Sequence, residues 1–352
     1  MIFLLLVATA SQSSAQNADK EVDLQALYQQ IDDAIGHSSH YVGMRVGLIT
    51  EARKSFRSES NLKKKFGLAE QLFSLYEPYR NDSALYFADV CIALADSLHR
   101  YDKVGLYQSL KAHQCSNTGR YVESLELLKQ VDKKTLSREG LTEYYAAWMH
   151  VCGEIASYSL QESERQRYFD YQDGYRDSVL AVAEEGSEEY LHLKMDVLCA
   201  RMLFQDALSV SDSWLNKVSE GTHELAYAAF YRSVVYDKLR NNTKLRYWLS
   251  VSALADIKSA VFDQASLFML AERLCDDGDY ERAYRYMCFS EACNTAFSPQ
   301  LRNYQVRYVE NVLKKVYQNS QDRYTMLLTI ACVAVLLLLA VVVWLLIRLR
   351  RH

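Results

Sequence analysis

Two prolines and 12 glycines in 352 residues leave little with which to turn a strand. Average usage would supply roughly 18 and 25. Hairpins and β-turns draw on these two residues for backbone angles that others resist. A chain so poor in both is helical for most of its length, and sandwich, barrel and doubly wound folds recede. Half of the residues are apolar and 24% are charged, so there is ample material for a long packed array. The formal net charge of −4 offers no basic surface of the kind that binds nucleic acid.

Both ends carry membrane signals. Residues 2–10, IFLLLVATA, form a short apolar core followed by small residues at Ser13 and Ala15, which suits an export signal cleaved after Ala15. No Lys or Arg precedes that core, and nine apolar residues are too few to span a bilayer. At the other end, Tyr324 to Ile347 runs 24 residues without a charge. As helix it covers about 36 Å against a hydrocarbon thickness of about 30 Å. Tyr324 and Trp344 sit near its ends, and Arg348, Arg350 and Arg351 follow. The positive-inside tendency then places the bulk of the chain in the periplasm and His352 in the cytoplasm, a single-pass protein of a bacterial cytoplasmic membrane.

The expected division is a signal peptide over 1–15, an exported domain over 16–297, a juxtamembrane helix over 298–323, a span over 324–347 and a basic tail over 348–352. Ser298-Pro299 reads as a helix start, with Leu301, Tyr304, Tyr308, Val312 and Val316 forming a stripe beyond it. If this helix continues into the span without a break near Asn319-Ser320, it makes a rod of about 70 Å.

Internal repetition is the informative pattern in the exported part. In residues 264–297, Leu267, Leu270, Ala271, Leu274 and Cys275 make one helical stripe, and Asp276-Asp277-Gly278-Asp279 makes a turn. Tyr280, Ala283, Tyr284, Met287 and Cys288 make the next stripe. A second copy spans about 104–134, where Ala112, Gly119, Tyr121 and Ser124 take the places of Ala271, Gly278, Tyr280 and Ala283, and Leu128 follows in the second helix. Weaker helical pairs fill 139–171, 186–218 and 223–260. The fold expected is all-α: an irregular superhelix of helical hairpins, then the long helix into the membrane.

Residues 271–292, AERLCDDGDYERAYRYMCFSEA, resemble a tetratricopeptide repeat (TPR), with the Gly-Asp-Tyr turn, Ala283 and the small Ser290 in place. Together with Asp82-Ser83-Ala84-Leu85-Tyr86 and Leu249 to Ile257 (LSVSALADI), they resemble Bacteroidota-type membrane regulators. Those pair an exported tetratricopeptide sensor and one spanning helix with a cytoplasmic coiled coil and a DNA-binding helix–turn–helix. The resemblance implies signalling from outside to inside, linked to transcription. The sequence stops five residues after the span, so DNA binding through this chain is not expected.

The residues suggest no catalytic group, cofactor or metal. The usual phosphate-loop, dinucleotide, nucleophile-elbow and zinc-protease motifs do not occur. His37 and His40 lack further ligands, and the acidic run 276–279 lacks the length and late Glu of a calcium loop. Lys63-Lys64-Lys65 reads as a solvated helix face. Cys332 falls in the expected span, and the other seven cysteines, at 91, 115, 152, 199, 275, 288 and 293, have no disulfide-like spacing and read as buried thiols. The 26 tyrosines suit packing between helices and, on a concave face, contact with a peptide or sugar. The expected role is a non-enzymatic sensor or scaffold for a peptide, protein or glycan, acting alone, as a homodimer or with another membrane protein. No binding residue is singled out.

Overall fold

The structure, a computed structural model, describes residues 23–263, 265–298 and 303–350. The expected export signal lies outside these residues. Among them are fifteen α-helices, one 3-10 turn and no strand, as the scarcity of glycine and proline dictates.

The chain is a series of antiparallel hairpins. It begins with α1 (Leu24–Gly36), α2 (Ser38–Ser58), α3 (Leu62–Tyr76) and α4 (Asn81–Ser97), four helices ahead of the first repeat marked by the sequence pattern. Then follow α5 (Tyr101–Asn117) with α6 (Tyr121–Gln130), and α7 (Arg138–Tyr158) with α8 (Glu162–Val182). Next are α9 (Glu188–Ala200) with α10 (Phe204–Leu215), and α11 (His223–Lys238) with α12 (Asn242–Lys258). The last hairpin is α13 (Ser266–Asp276) with α14 (Tyr280–Phe297), and α15 (Asn303–Arg350) closes the chain.

Polar residues start many of these helices by accepting orphan backbone N–H groups. Asp23, Asn61, Ser137, Ser187, Thr222, Asn241 and Asp279 each cap a helix in this way. The acidic run at 276–279 is thereby absorbed into structure: Asp279 caps α14 and pairs with Arg282, and Asp277 pairs with Arg246.

One turn geometry recurs at six helix ends. His99, Gly119, Met202, Arg240, Ala260 and Gly278 all have φ between +50° and +88°. At each, the next residue's N–H returns to the carbonyl five positions before it: Arg100 to Ala95, Arg120 to Cys115, Leu203 to Leu198, Asn241 to Tyr236, Val261 to Asp256 and Asp279 to Leu274. This is the left-handed cap that satisfies the last helical carbonyls. Only two of the six carry glycine.

The hairpins close on small residues. Ala112, Ala271 and Ala283 are fully buried. Ser124, which occupies the place of Ala283 in the α5–α6 copy, donates its hydroxyl to the carbonyl of Ala112 at 2.7 Å. Five buried apolar clusters run along the array, and Cys91, Cys115, Cys152, Cys275 and Cys293 sit among the buried residues as thiols.

The array does not remain open. Tyr28, Ile31 and Ala34 of α1 share a core with α12, α13 and α14. The hydroxyl of Tyr286 donates to the carbonyl of Tyr28 at 3.0 Å, and Asp32 faces Arg282 and Arg285. Further round, Arg45 of α2 donates to the carbonyls of Ser259 and Leu75, both at 2.7 Å. The backbone N–H of Phe262 donates to the carbonyl of Pro78 at 2.7 Å, while the Phe262 ring packs on Tyr79. The first and last hairpins therefore meet, and the superhelix is a closed ring with an interior.

Helix α15 stands apart. It is continuous through Asn319 and Ser320, so the break considered from sequence does not occur. At 48 residues it is about 72 Å long. Ser298 is extended and follows α14, and residues 299–302, where the start of the long helix was expected, lie outside the described residues. Gln321–Trp344 is long and apolar enough to cross a membrane, with a mean hydropathy of 3.2 and none of it buried.

Candidate functional site

The ring encloses a cavity of about 570 Å³, within the range that holds small ligands. Its wall is built from one helix of each of four successive hairpins. His113 and Asn117 come from α5, and Glu143, His150 and Glu154 from α7. Glu189 and His192 come from α9, and Tyr227, Phe230 and Tyr231 from α11. The floor is completed by Asp263 and by Asn294, Phe297 and Ser298 at the end of α14. A second chamber of about 380 Å³ shares His113, Glu189, Tyr227 and Phe230 and adds Glu77, Glu188, His223, Glu224 and Asp256. A third, about 320 Å³, joins through His150, His192 and Tyr231 and is bounded by Asp196 and Arg176.

Two observations define its chemistry. First, neither of the two larger chambers has a Lys or Arg among the described lining residues, while carboxylates enter from every side. Burial, and then the neighbouring carboxylates Glu189, Glu77 and Glu139, push Glu143 up to about 8. Burial, with help from Glu189 and Glu224, pushes Glu188 up to about 7. Asp196 rises to about 6 by burial, against the pull of Arg176 and Lys238. Burial also raises Glu77 and Asp256, although Gln114 and His223 respectively hydrogen-bond to them. Desolvation with too little compensating positive charge is the common cause.

Second, aromatic faces lie beside these acids. The ring of His192 stacks on Tyr231 at 4.7 Å, and Trp214 backs the pair, stacked 6.0 Å from Tyr231. Tyr227 meets Tyr231 edge-on at 5.0 Å, with the two hydroxyls 3.4 Å apart. His192 is only 7% exposed, and burial lowers its pKa to about 4, so it is neutral at pH 7. Its Nδ1 donates to the carbonyl of Glu188 at 3.0 Å, which makes Nε2 an acceptor. The imidazoles of His113 and His150 lie 4.2 Å apart, centroid to centroid, and Ser116 meets His150 at 2.7 Å.

The repeat positions read from sequence are elsewhere. Ala112, Leu128, Leu267, Leu270, Ala271, Leu274, Ala283 and Met287 are buried within the walls, and Gly119 and Gly278 make turns with φ of +78° and +88°. Tyr121 and Tyr280 are partly buried against wall clusters. None of these residues lines the cavity. His37 caps α1, its Nδ1 lying 2.8 Å from the carbonyl of Asp33, and no group of three metal-ligating side chains gathers among the described residues.

The sequence held one signal for the cavity. His113, His150, His192 and His223 recur at intervals of about one repeat, so the same face of successive hairpins carries an imidazole. Three of the acids, Glu154, Glu189 and Glu224, recur in the same way, 35 residues apart, while Glu143 and Glu188 fall outside that register.

Comparison with known proteins agrees with the architecture. The profile of the family described as the SusR N-terminal TPR domain matches residues 35–308, most of the ring. No curated protein matches the chain at a significant level. The chain belongs to the SusR N-terminal TPR domain family, whose repeats are interaction modules built by stacking hairpins.

Proposed function

We propose that this member of the SusR N-terminal TPR family is a non-enzymatic sensor of a signalling or transcription-regulating system. It takes a peptide, a segment of a protein or a glycan into the central cavity. It is anchored in the bacterial cytoplasmic membrane through α15, with the ring outside.

The observation that carries this reading is the closure of the array around an interior of about 570 Å³. An open concave face suits a long partner, whereas a ring with polar groups aimed inward suits something small enough to enter. Occupancy can be felt in the wall, because neighbouring repeats contact each other directly and each supplies part of the lining. Aromatic faces at Tyr227, Phe230 and Tyr231 provide contact area, and the carboxylates and imidazoles provide orientation. The lipid-facing character of Gln321–Trp344 supports anchoring, and Arg348 stacked 5.2 Å from the Trp344 ring supports an interface at that end.

The test uses the full chain in detergent micelles. Thermal protection is measured against oligosaccharide and short-peptide mixtures, with Tyr231→Ala as the control that removes the aromatic wall. Protection by one class, lost in the variant, supports the reading. Protection by neither class, or protection that Tyr231→Ala leaves unchanged, removes the cavity as the ligand site. Exchange of Met326–Ile347 for an unrelated apolar helix tests the anchor separately: retained membrane attachment with lost signalling output assigns α15 more than a tether's role.

A further inference from the structure

We infer that the central cavity selects a ligand bearing a primary ammonium group, seated among Glu143, Glu189 and the Nε2 of His192 with its apolar face against Tyr231. This deepens the reading that the cavity is the ligand site, and it rests on that reading.

The lining gathers carboxylates and has no Lys or Arg among the described residues of the two larger chambers. Glu143 and Glu189 enter the same chamber from α7 and α9 and repel one another. His192, more than nine-tenths buried, has Nδ1 committed to Glu188, and Nε2 has no partner among the described residues. Just beyond, Oε1 of Glu188 is shut off from solvent and also lacks a partner. A buried acceptor without a donor is costly, and buried like charges without a counter-charge more so. The basic groups nearby offset this only in part: His192 is neutral, and His223 is engaged by Asp256 at 2.9 Å while pulling Glu188 down a little. Arg176 is in the third chamber beside Asp196, and His113 and His150, packed on each other, are the other imidazoles facing the chamber.

An ammonium group carries three donors and one positive charge, which is what these acceptors lack. A neutral polyol could supply donors, but it would leave Glu143 holding its proton and gain nothing from the ionised carboxyl. The aromatic wall adds to the selection, since a cation is attracted to a ring face within about 6 Å. The raised carboxyls supply a signature. Glu143 holds a proton up to about pH 8 and Glu188 up to about pH 7 in the empty cavity. A cationic ligand favours their ionised forms, so its binding expels protons and tightens as pH rises from 6 to 8.

Calorimetry on the full chain in detergent micelles tests this with four probes: a glucosamine disaccharide and its N-acetylated counterpart, and acetyl-Gly-Lys-Gly-amide with its counterpart acetylated at the lysine. The expected result is that an amine probe binds at least about tenfold tighter than its acetylated partner, the size of one charge-assisted contact. Heats in two buffers of different ionisation enthalpy should show proton release at pH 7. Glu143→Gln should reduce the preference and the proton release together, and Glu189→Gln repeats the test should the first variant fold poorly. Which amine binds tells an aminosugar from a basic peptide. Equal or tighter binding of the acetylated probes, abolished by Tyr231→Ala, overturns the ammonium inference and leaves the cavity as the site. Binding of no probe overturns it outright, and continued absence of protection by the wider mixtures removes the cavity reading too.

Discussion

The α13–α14 hairpin and the cavity face of α7, α9 and α11 are made of the same kind of helix and follow opposite rules. In the hairpin, Leu267, Leu270, Ala271, Ala283 and Tyr286 are buried to the last few square ångströms, and small residues let the helices approach. On the cavity face, Glu143 and His192 are desolvated, and Oε1 of Glu188 is buried without a partner. The first region stabilises the ring, and the second draws on that stability. Buried polar groups of this sort persist only where the surrounding packing over-determines them. Substitutions in the two regions should therefore move stability in opposite directions.

The largest effect belongs to the hairpin. Leu270→Ala removes a fully buried side chain from the cluster that also holds α1 and α12. Leu-to-Ala changes in well-packed cores cost about 2–5 kcal/mol, and Ala283→Trp, an overpacking change at a fully buried alanine, costs about 1–3 kcal/mol. Chemical denaturation should show both, with Leu270→Ala the larger. Because Tyr28 and Ile31 share this core, the loss should spread to α1, and amide exchange there should rise alongside that of α13. Stability unchanged in Ala283→Trp would show that the seam between the helices is not closed at that position.

The cavity should give a smaller effect of the other sign. Glu143 has a carboxyl pKa near 4.5 in the unfolded chain and about 8 in the ring, so the ring binds more protons between those values. Stability from this group is present at low pH and lost as pH rises towards 8. Glu188, raised to about 7, and Asp196, raised to about 6, act in the same sense. His192, lowered from 6.5 to about 4, opposes them only over that lower interval. The decline should therefore run from about pH 5 to 8, and above pH 6.5 it is unopposed by His192 and increasingly due to Glu143 alone. Glu143→Gln removes the charge and keeps the shape, so it should flatten the decline and stabilise the ring at pH 8 by about 1–3 kcal/mol, the range for an unsatisfied buried group. Parallel pH profiles of the two proteins would show that Glu143 is hydrated and not strained.

This contrast also explains what could be read from residues alone. Packing leaves periodic traces: the stripe Leu267, Leu270, Ala271, Leu274 and the pair Gly278, Tyr280 are local, and they announced helix, turn and hairpin without any knowledge of the rest. The long apolar stretch of α15 was legible for the same reason. Closure of the ring was not, because it joins Tyr28 to Tyr286 and Arg45 to Ser259 across more than two hundred residues, through contacts that no spacing rule encodes. The cavity was hidden further. Its acids come from several helices, and on each helix alone they look like an ordinary solvated face. The imidazoles, recurring once per hairpin, and Glu154, Glu189 and Glu224, 35 residues apart, were the traces of a shared inward direction.

The irregularity of the array has a physical origin as well, and it yields the smallest predicted effect. Six helices end in the same left-handed cap, yet only Gly119 and Gly278 carry the residue that adopts it without strain. His99, Met202, Arg240 and Ala260 hold φ between +50° and +58°, so the repeats they terminate look degenerate in sequence while their backbone is the same. For a residue with a Cβ, this conformation costs roughly 1–2 kcal/mol, part of which glycine gives back through its greater freedom when unfolded. Met202 is the cleanest place to see the balance, since its side chain is 78% exposed and little packing is lost with it. Met202→Gly should stabilise the ring by about 0.5–1 kcal/mol, a rise of about 2–4 °C in melting temperature at most for a domain of this size. Gly278→Ala should lower stability by a similar amount: there is open space around its Cβ, so backbone strain at φ +88° is the whole effect. If the two changes shift the melting temperature in the same direction, then the caps differ in more than their residue, and the single turn geometry does not define the repeat.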